Sequence, residues 1–285
     1  MGNKILKSKK TILVLGANGK TGSRVIERLN KLNWPVRKGS RSGNPKFDWD
    51  DNETWIPALQ DVNAVYISYY PDVAIPGVTE KIQRFVNTAV KQGVHQLVLL
   101  SGRGEEEAQA CENIVMNSGV DWTIVRASWF NQNFSEGNFL GPILSGHVAL
   151  PAGDVGEPFV DADDIADVAV TALTEEGHNS EIYEVTGPRL LTFKEAVGEI
   201  ANATGRNIQY EQVSVADYAA VLKQYQLPDD IIWLVTYLFT EVLDGRNANV
   251  TDGVGRALGR KPTDFREFIK KTIATGIWNK DTVMG

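Results

Sequence analysis

Thr11-Ile12-Leu13-Val14-Leu15-Gly16-Ala17-Asn18-Gly19-Lys20-Thr21-Gly22 decides the fold. Residues 11–15 are a short apolar run ending on glycine, the pattern of a strand buried on both faces of a parallel sheet. Residues 20–32 then place Val25, Ile26, Leu29 and Leu32 on one helical face. Between strand and helix the glycines are spaced GxxGxxG. Gly16 permits the tight turn, Gly19 lets the backbone approach a pyrophosphate, and Gly22 lets the helix pack close to the strand. The helix start offers free N–H groups and the positive end of its dipole to that anion. Asn18, Lys20 and Thr21 complete the turn as candidate cofactor contacts.

Outward from this stretch, strands are predicted at 36–40, 47–49, 64–68, 97–101 and 121–126, with helices at 78–91 and about 105–117. Such alternation predicts an α/β chain with a Rossmann-type doubly wound parallel sheet. Past residue 130, Gly141, Pro142, Gly146, Pro151, Gly153, Gly156 and Pro158 read as irregular chain. Helices at 161–173 and 192–204 and a strand at 182–185 follow. The stretch 216–245 reads as two helices broken at Leu227-Pro228-Asp229-Asp230, the second carrying Trp233, Tyr237 and Phe239. The expected division is a dinucleotide-binding core over 1–155 and a mixed region over 156–285. The latter completes the core and forms a smaller, mainly helical substrate cap over the carboxyl ends of the strands.

Cofactor choice is set at the end of the second strand. An NAD site usually carries Asp or Glu there for the ribose hydroxyls. This chain has Ser40-Arg41-Ser42, with Arg37 and Lys38 just upstream. Cations beside a hydroxyl suit a 2′-phosphate, so NADP is expected, with NADPH preferred over NADH. The alternative is an Arg41 that only stacks on adenine. Ser68 and Tyr69, and Ser101 and Gly102, end later strands and are expected to face the cofactor. Tyr70 either bounds a substrate pocket or packs within its loop.

Composition excludes several classes. Twenty-nine Lys and Arg against 36 Asp and Glu give a net charge of −7, which repels a nucleic-acid backbone. The basic opening, Lys4, Lys7, Lys9 and Lys10, reads as a solvated tail. Cys111 is the only cysteine, so no intrachain disulfide forms and a reducing compartment fits. Acidic neighbours raise its thiol, and we read it as inert. Ile5-Leu6 is too short for a secretory core, and Leu6 spoils a myristoylation signal at Gly2. Residues 231–243 are too short to span a bilayer. A soluble, cytoplasmic protein with a small-molecule substrate and no nucleic-acid or membrane partner is expected. No metal is expected: Asp161-Ala162-Asp163-Asp164 opens a helix and reads as capping, and His95, His147 and His178 have no ligand spacing. No G-x-S-x-G nucleophile motif occurs.

Taken with the glycine turn and Ser40-Arg41, the segment Asp121-Trp122-Thr123-Ile124-Val125-Arg126-Ala127-Ser128-Trp129-Phe130-Asn131-Gln132-Asn133-Phe134 resembles the NmrA-like group of atypical short-chain dehydrogenases, with Ala127 in place of the group's proline. Pro158-Phe159-Val160-Asp161-Ala162-Asp163-Asp164-Ile165-Ala166 and Leu258-Gly259-Arg260-Lys261-Pro262 resemble two further motifs of that group, so the similarity covers essentially the whole chain. Through the Trp129 to Phe134 and Gly187-Pro188-Arg189-Leu190-Leu191-Thr192 stretches it is most similar to the ergot-alkaloid (festuclavine and agroclavine) dehydrogenase-like subgroup.

One departure matters. Ordinary short-chain dehydrogenases carry Tyr-x-x-x-Lys on the helix after the strand at 97–101. Here that helix begins Glu105-Glu106-Glu107-Ala108-Gln109-Ala110-Cys111-Glu112-Asn113, with neither Tyr nor Lys. The catalytic residue stays open, with Gln109 and Asn113 as candidates. Two outcomes follow. Either the protein gives hydride to an electron-poor molecule, an imine, iminium or quinone, where positioning does most of the work, or it is a non-catalytic NADP-binding redox sensor acting through a protein partner. An isomerase or epimerase is disfavoured, because it too needs the missing Tyr. For the reductase, Tyr70, Trp129, Phe130, Asn133 and Trp233 are the expected pocket residues. Glu105, Glu106 and Glu107 offer an acidic wall for a cation, or are solvated carboxylates at a helix start.

Overall fold

A computed structural model describes residues 6–279; Gly2, Lys4 and Ile5 of the basic opening lie outside the described residues. By its internal contacts the chain forms two units. The first comprises the chain up to Ala127, Ala162–Val185 and Asp252–Arg260; the second comprises Ser128–Asp161, Thr186–Thr251 and the chain from Lys261 on. The sequence placed its division at 155/156 instead.

The first unit opens with β1 (Ile12–Leu15), α1 (Lys20–Lys31) and β2 (Val36–Gly39). It continues with α2 (Trp55–Leu59), β3 (Ala64–Ile67), α3 (Val78–Lys91), β4 (Gln96–Gly102), α4 (Glu106–Met116) and β5 (Asp121–Ala127). After α5 (Leu140–Ser145) and β6 (His147–Leu150) in the second unit, the chain returns as α6 (Ala162–Thr174) and β7 (Glu181–Val185). The strands form one six-stranded sheet in the order β2-β1-β3-β4-β5-β7, every pairing parallel. β1 and β3 are buried along their whole length, as their unbroken apolar runs require. Packing separates α1 with α6 from α3 with α4, giving the helical layers of a doubly wound sheet.

The segment 47–49 is not a strand of this sheet. The Phe47 N–H bonds back to the Ser40 carbonyl, and Asp48 bridges only to Asp51. Phe47 and Trp49 instead join Trp55 and Phe85 in an aromatic cluster with ring centroids 5.0–6.4 Å apart. Burying these rings together wins over extending the sheet edge.

In the second unit α7 (Phe193–Thr204), β8 (Gln209–Gln212), α8 (Val215–Gln224) and α9 (Asp229–Tyr237) follow, and α9 runs into a π-turn over Leu238–Val242. α10 (Gly253–Leu258) belongs to the first unit and α11 (Phe265–Thr275) to the second. The stretch expected to be irregular holds α5 and β6, and β6 pairs with β8 in a small parallel sheet of its own. The second unit has its own core, centred on Phe134, Phe139, Phe159, Phe193 and Phe265. Trp278 closes it by donating its indole N–H to the Phe134 carbonyl at 2.9 Å. Among the described residues no helix is long and apolar enough to cross a membrane.

The segments around Asp163, Arg189 and Arg260 that carry part of the resemblance have structural roles. Asp163 pairs with Arg24 and Arg28 of α1, and Asp164, fully buried, pairs with Arg260 at 2.7 Å. These aspartates tie α1, α6 and the end of α10 together. Arg189 bonds to Glu199 and Asp264, and Thr192 with Glu195 makes the capping box of α7.

Candidate functional site

The site is built where β1 turns into α1. Gly16 has a left-handed φ of +63°, and its carbonyl accepts the Gly19 N–H at 2.8 Å. A Cβ on Gly22 would overlap the Gly16 carbonyl, falling 2.7 Å from its carbon. The helix therefore sits against the turn at a distance only glycine permits. Gly19 is the N-cap and is exposed, and no side chain caps α1. By contrast α7, α8 and α11 are capped by Thr192, Ser214 and Asp264. No acidic residue occupies the first turn of α1, so its positive end is not neutralised locally. Asn18 is exposed and Lys20 half-buried. Thr21 is 3% exposed, so its side chain belongs to the core and only its backbone is available to a ligand.

The turn is walled by the ends of β2 and β3. Gly16 lies against Ser68, whose Cβ and Oγ would both be 3.2 Å from a side chain at Gly16. Beyond β2, Ser40 is half-buried and its Oγ lies 3.4 Å from that of Ser42. Arg41 is exposed and makes no ion pair among the described residues. Arg37 differs: its guanidinium donates to the carbonyls of Ala58 (3.0 Å) and Gln60. Of the cations read from the sequence here, Arg37 is occupied by the fold and Arg41 is available. Tyr69 packs on Trp49 with centroids 5.0 Å apart and accepts from Lys81 Nζ at 3.3 Å. Tyr70 projects outward, 82% exposed.

At the end of β4 a polar network appears that sequence reasoning missed. Ser101 Oγ donates to Glu112 Oε1 at 2.6 Å. The guanidinium of Arg126 bonds to Glu112 (Nε–Oε1 2.9 Å) and to Glu184 (2.7 Å), and Arg103 reaches Glu184 at 3.3 Å. Gly102 lies beneath the Glu105 carboxyl, which a Cβ there would overlap. Glu112 had a signal: it shares the inward face of α4 with Ala108, Cys111 and Val115, an unlikely place for an unpaired carboxylate. On the opposite face, Gln109 and Asn113 are exposed. Cys111 is buried, and burial first, then Asp72, Glu112 and Glu80, push its thiol up to about 11.

In the second unit Trp129 contributes to the core, its ring 5.1 Å from Phe239, 5.2 Å from Phe193 and 6.3 Å from Phe139. Phe130 bridges to Val160 through its backbone, and half-buried Asn133 follows in a short 3₁₀ turn. Trp233 is stacked on Tyr237 at 5.1 Å with the rings 7° from parallel, and keeps partial exposure. No ring contact joins Trp129 to Trp233 among the described residues.

The glycine cradle, an uncapped helix start and a free cation past β2 fit a dinucleotide phosphate. Comparison with known proteins agrees. Festuclavine dehydrogenase of Aspergillus fumigatus is 30% identical over 92% of this chain and 97% of its own. The NADPH-dependent quinone oxidoreductase of Escherichia coli, solved with NADPH, superposes with a TM-score of 0.78 at 22% identity, covering 92% of this chain and 99% of that one. The negative transcriptional regulator NmrA, solved with NADP, superposes at 0.68 with 15% identity over 95% and 98% of the two chains; these two likenesses establish the fold alone. Residues 16–176, from the first glycine of the turn to just past α6, match the family described as NAD(P)H-binding, and the chain belongs to that family.

Proposed function

We propose that the protein is an NADPH-dependent reductase acting on an electron-poor small molecule of the imine, iminium or quinone type, without a Tyr-x-x-x-Lys pair. The observation that carries the cofactor reading is the contrast between Arg37 and Arg41. The first is spent on backbone carbonyls, whereas the second is exposed and unpaired beside Ser40. A free guanidinium with a neighbouring hydroxyl favours a 2′-phosphate. Gly16, Asn18, Gly19, Gly22 and the backbone of Lys20 and Thr21 would hold the pyrophosphate. Ser68, Tyr69, Ser101 and Gly102 would line the remainder of the cofactor. When bound, the dihydronicotinamide supplies hydride. The chain's own task is to orient the acceptor and exclude water, for which Tyr70, Trp129, Phe130, Asn133 and Trp233 are the proposed pocket residues. Similarity to a relative named a dehydrogenase supports an enzyme, and a buried single cysteine fits a cytoplasmic setting.

The second reading is an NADP-binding regulator. Val221, Tyr225 and Leu227, exposed at the end of α8 and just beyond it, favour it as a surface for a protein partner. NADPH oxidation measured against a panel of quinones and cyclic imines separates the two. Turnover with any of them supports the reductase, whereas tight NADPH binding with no turnover leaves the regulator.

A further inference from the structure

Asp72 follows β3 and Glu105 follows β4. Parallel pairing of these strands therefore brings two carboxyl groups to the carboxyl-terminal edge of the sheet, the edge at which α/β sheets bind ligands. The loop that carries Asp72 packs on α4, where the Cys111 thiol meets the Val73 carbonyl at 3.8 Å, and the Asp72 carboxyl bears on Glu105. Two carboxyl groups crowded together out of water with no cation beside them do not both ionise, so one keeps its proton. Neither group forms an ion pair among the described residues, and the nearby cations are taken: Arg103 by Glu184, Arg126 by Glu112 and Glu184. Glu105 is 5% exposed, and its Oε2 is buried without a hydrogen-bond partner. Space for that carboxyl exists because residue 102 is glycine. Asp72 accepts the Ala74 N–H at 2.9 Å and keeps partial exposure, a route for proton exchange with water.

The surroundings hold the proton in place. Glu107 and Glu112 of α4 also bear on Glu105, and Asp72, Glu112 and Glu80 bear on the nearby Cys111 thiol. None of these is a cation. Burial and the neighbouring Asp72 carboxylate hold Glu105 well above the usual carboxyl range, and burial raises Asp72 as well.

We propose that Asp72 and Glu105 form a carboxyl pair that carries one proton and gives it to the reduced acceptor. This rests on the reductase reading and narrows it to a neutral C=O or C=N acceptor, a quinone or an unprotonated imine. The hydride for that step would be supplied by the bound cofactor, which is oxidised as the acceptor is reduced. The acceptor's π bond breaks as the hydride bond forms, and the negative charge left on oxygen or nitrogen takes the proton from the pair. The pair, left with two negative charges, regains a proton from water through Asp72.

The test uses the full-length protein, and Asp72→Asn with Glu105→Gln, which preserves shape and hydrogen bonding. NADPH oxidation is followed with a neutral benzoquinone and with a permanently cationic triarylmethane dye, which needs no proton. The double variant is expected to lose about a hundredfold with the quinone, within the usual worth of general acid catalysis, and to stay within about twofold with the dye. Equal rates with both acceptors, or equal losses with both, would overturn delivery of the proton. Oxidation of NADPH by neither acceptor in the wild type would overturn the reductase reading and delivery with it. The proton itself is read separately, without cofactor, as the infrared carbonyl band of a protonated carboxyl near neutral pH. The wild type should show it and the double variant should not. Its absence from the wild type overturns the pair even if turnover is found.

Discussion

Gly22 faces the Gly16 carbonyl so closely that a methyl group on it would stand 2.7 Å from the carbonyl carbon. A methyl group on Gly19, three residues earlier, would stand 3.2 Å from that carbonyl oxygen, and the residue is open to solvent. Packing accounts for Gly22, whereas Gly19, exposed at the N-cap of α1, is the one proposed to face a ligand.

Gly22→Ala should lower unfolding free energy by about 1–3 kcal/mol, the usual cost of forcing a methylene into a packed contact. Gly19→Val should instead abolish NADPH binding with little change in far-ultraviolet circular dichroism. Denaturant melts paired with a fluorescence titration of NADPH separate the two effects. Unaltered NADPH affinity in Gly19→Val would mean that the pyrophosphate lies elsewhere.

Arg41→Ala should weaken NADPH by about ten- to a hundredfold, the worth of one charge-assisted contact, and leave NADH within about twofold. Arg37→Ala should do the reverse. It orphans the carbonyls of Ala58 and Gln60 and lowers stability without changing the NADPH/NADH ratio. Equal weakening of both cofactors in Arg41→Ala would show that the guanidinium only stacks on the adenine.

The buried carboxyl at Glu105 makes stability depend on pH in a defined direction. Its proton is held more tightly in the fold than in the unfolded chain, because burial and then Asp72 raise it. Between the ordinary carboxyl range and that raised value, the folded state binds more protons than the unfolded one. Stability therefore falls as pH rises through this window. Glu105→Gln should flatten the fall, seen as a smaller drop in urea midpoint between about pH 5 and about pH 8. An unchanged slope would show that Glu105 ionises normally.

Gln109 and Asn113 lie on the exposed face of α4, and changing either to Ala should reduce turnover less than about tenfold, since no acid is removed. A loss beyond about a thousandfold on Asn113→Ala would assign it direct chemistry. Trp129→Ala should be worse for a different reason: the ring packs on Phe139, Phe193 and Phe239, and its removal costs about 3–5 kcal/mol of stability. Trp129→Phe keeps most of that packing, so a kcat that drops in it while the melting temperature holds would mark a pocket role.

What the sequence could say follows from where its periodicities are strong. β1, α1 and α3 were legible because continuous apolar strands and one-faced helices carry their own signal, and α3 spans Val78–Lys91 as expected. The β6–β8 pair was not. Gln209-Tyr210-Glu211-Gln212 is polar, mostly exposed and only four residues long, and α5 begins Leu140-Gly141-Pro142, where breakers conceal a helix fixed by the second core. Phe47 and Trp49 have strand-like composition, yet their partners Trp55 and Phe85 are supplied by other elements. At the site, Gly16 and Gly22 were legible because a left-handed turn and a close packing contact demand glycine there, and Gly19 through the spacing it shares with them. The different fates of Arg37 and Arg41 were not, since the carbonyls that claim Arg37 belong to residues more than twenty positions away.

The two units interleave along the chain, which passes between them at 127/128, 161/162, 185/186, 251/252 and 260/261. During synthesis the nucleotide-binding sheet cannot finish when its first five strands have left the ribosome. The partner of β5, with register Thr123 to Glu181, is still unmade, and Arg260, which anchors Asp164 and Asp167, comes later still. Nascent chains stopped before residue 181 must carry β5 as an open edge, a state prone to mispairing. Neither unit is a removable cassette. No single peptide bond separates the protein into two complete units: a cut at 127/128 keeps the second whole and breaks the first, and a cut at 260/261 does the opposite.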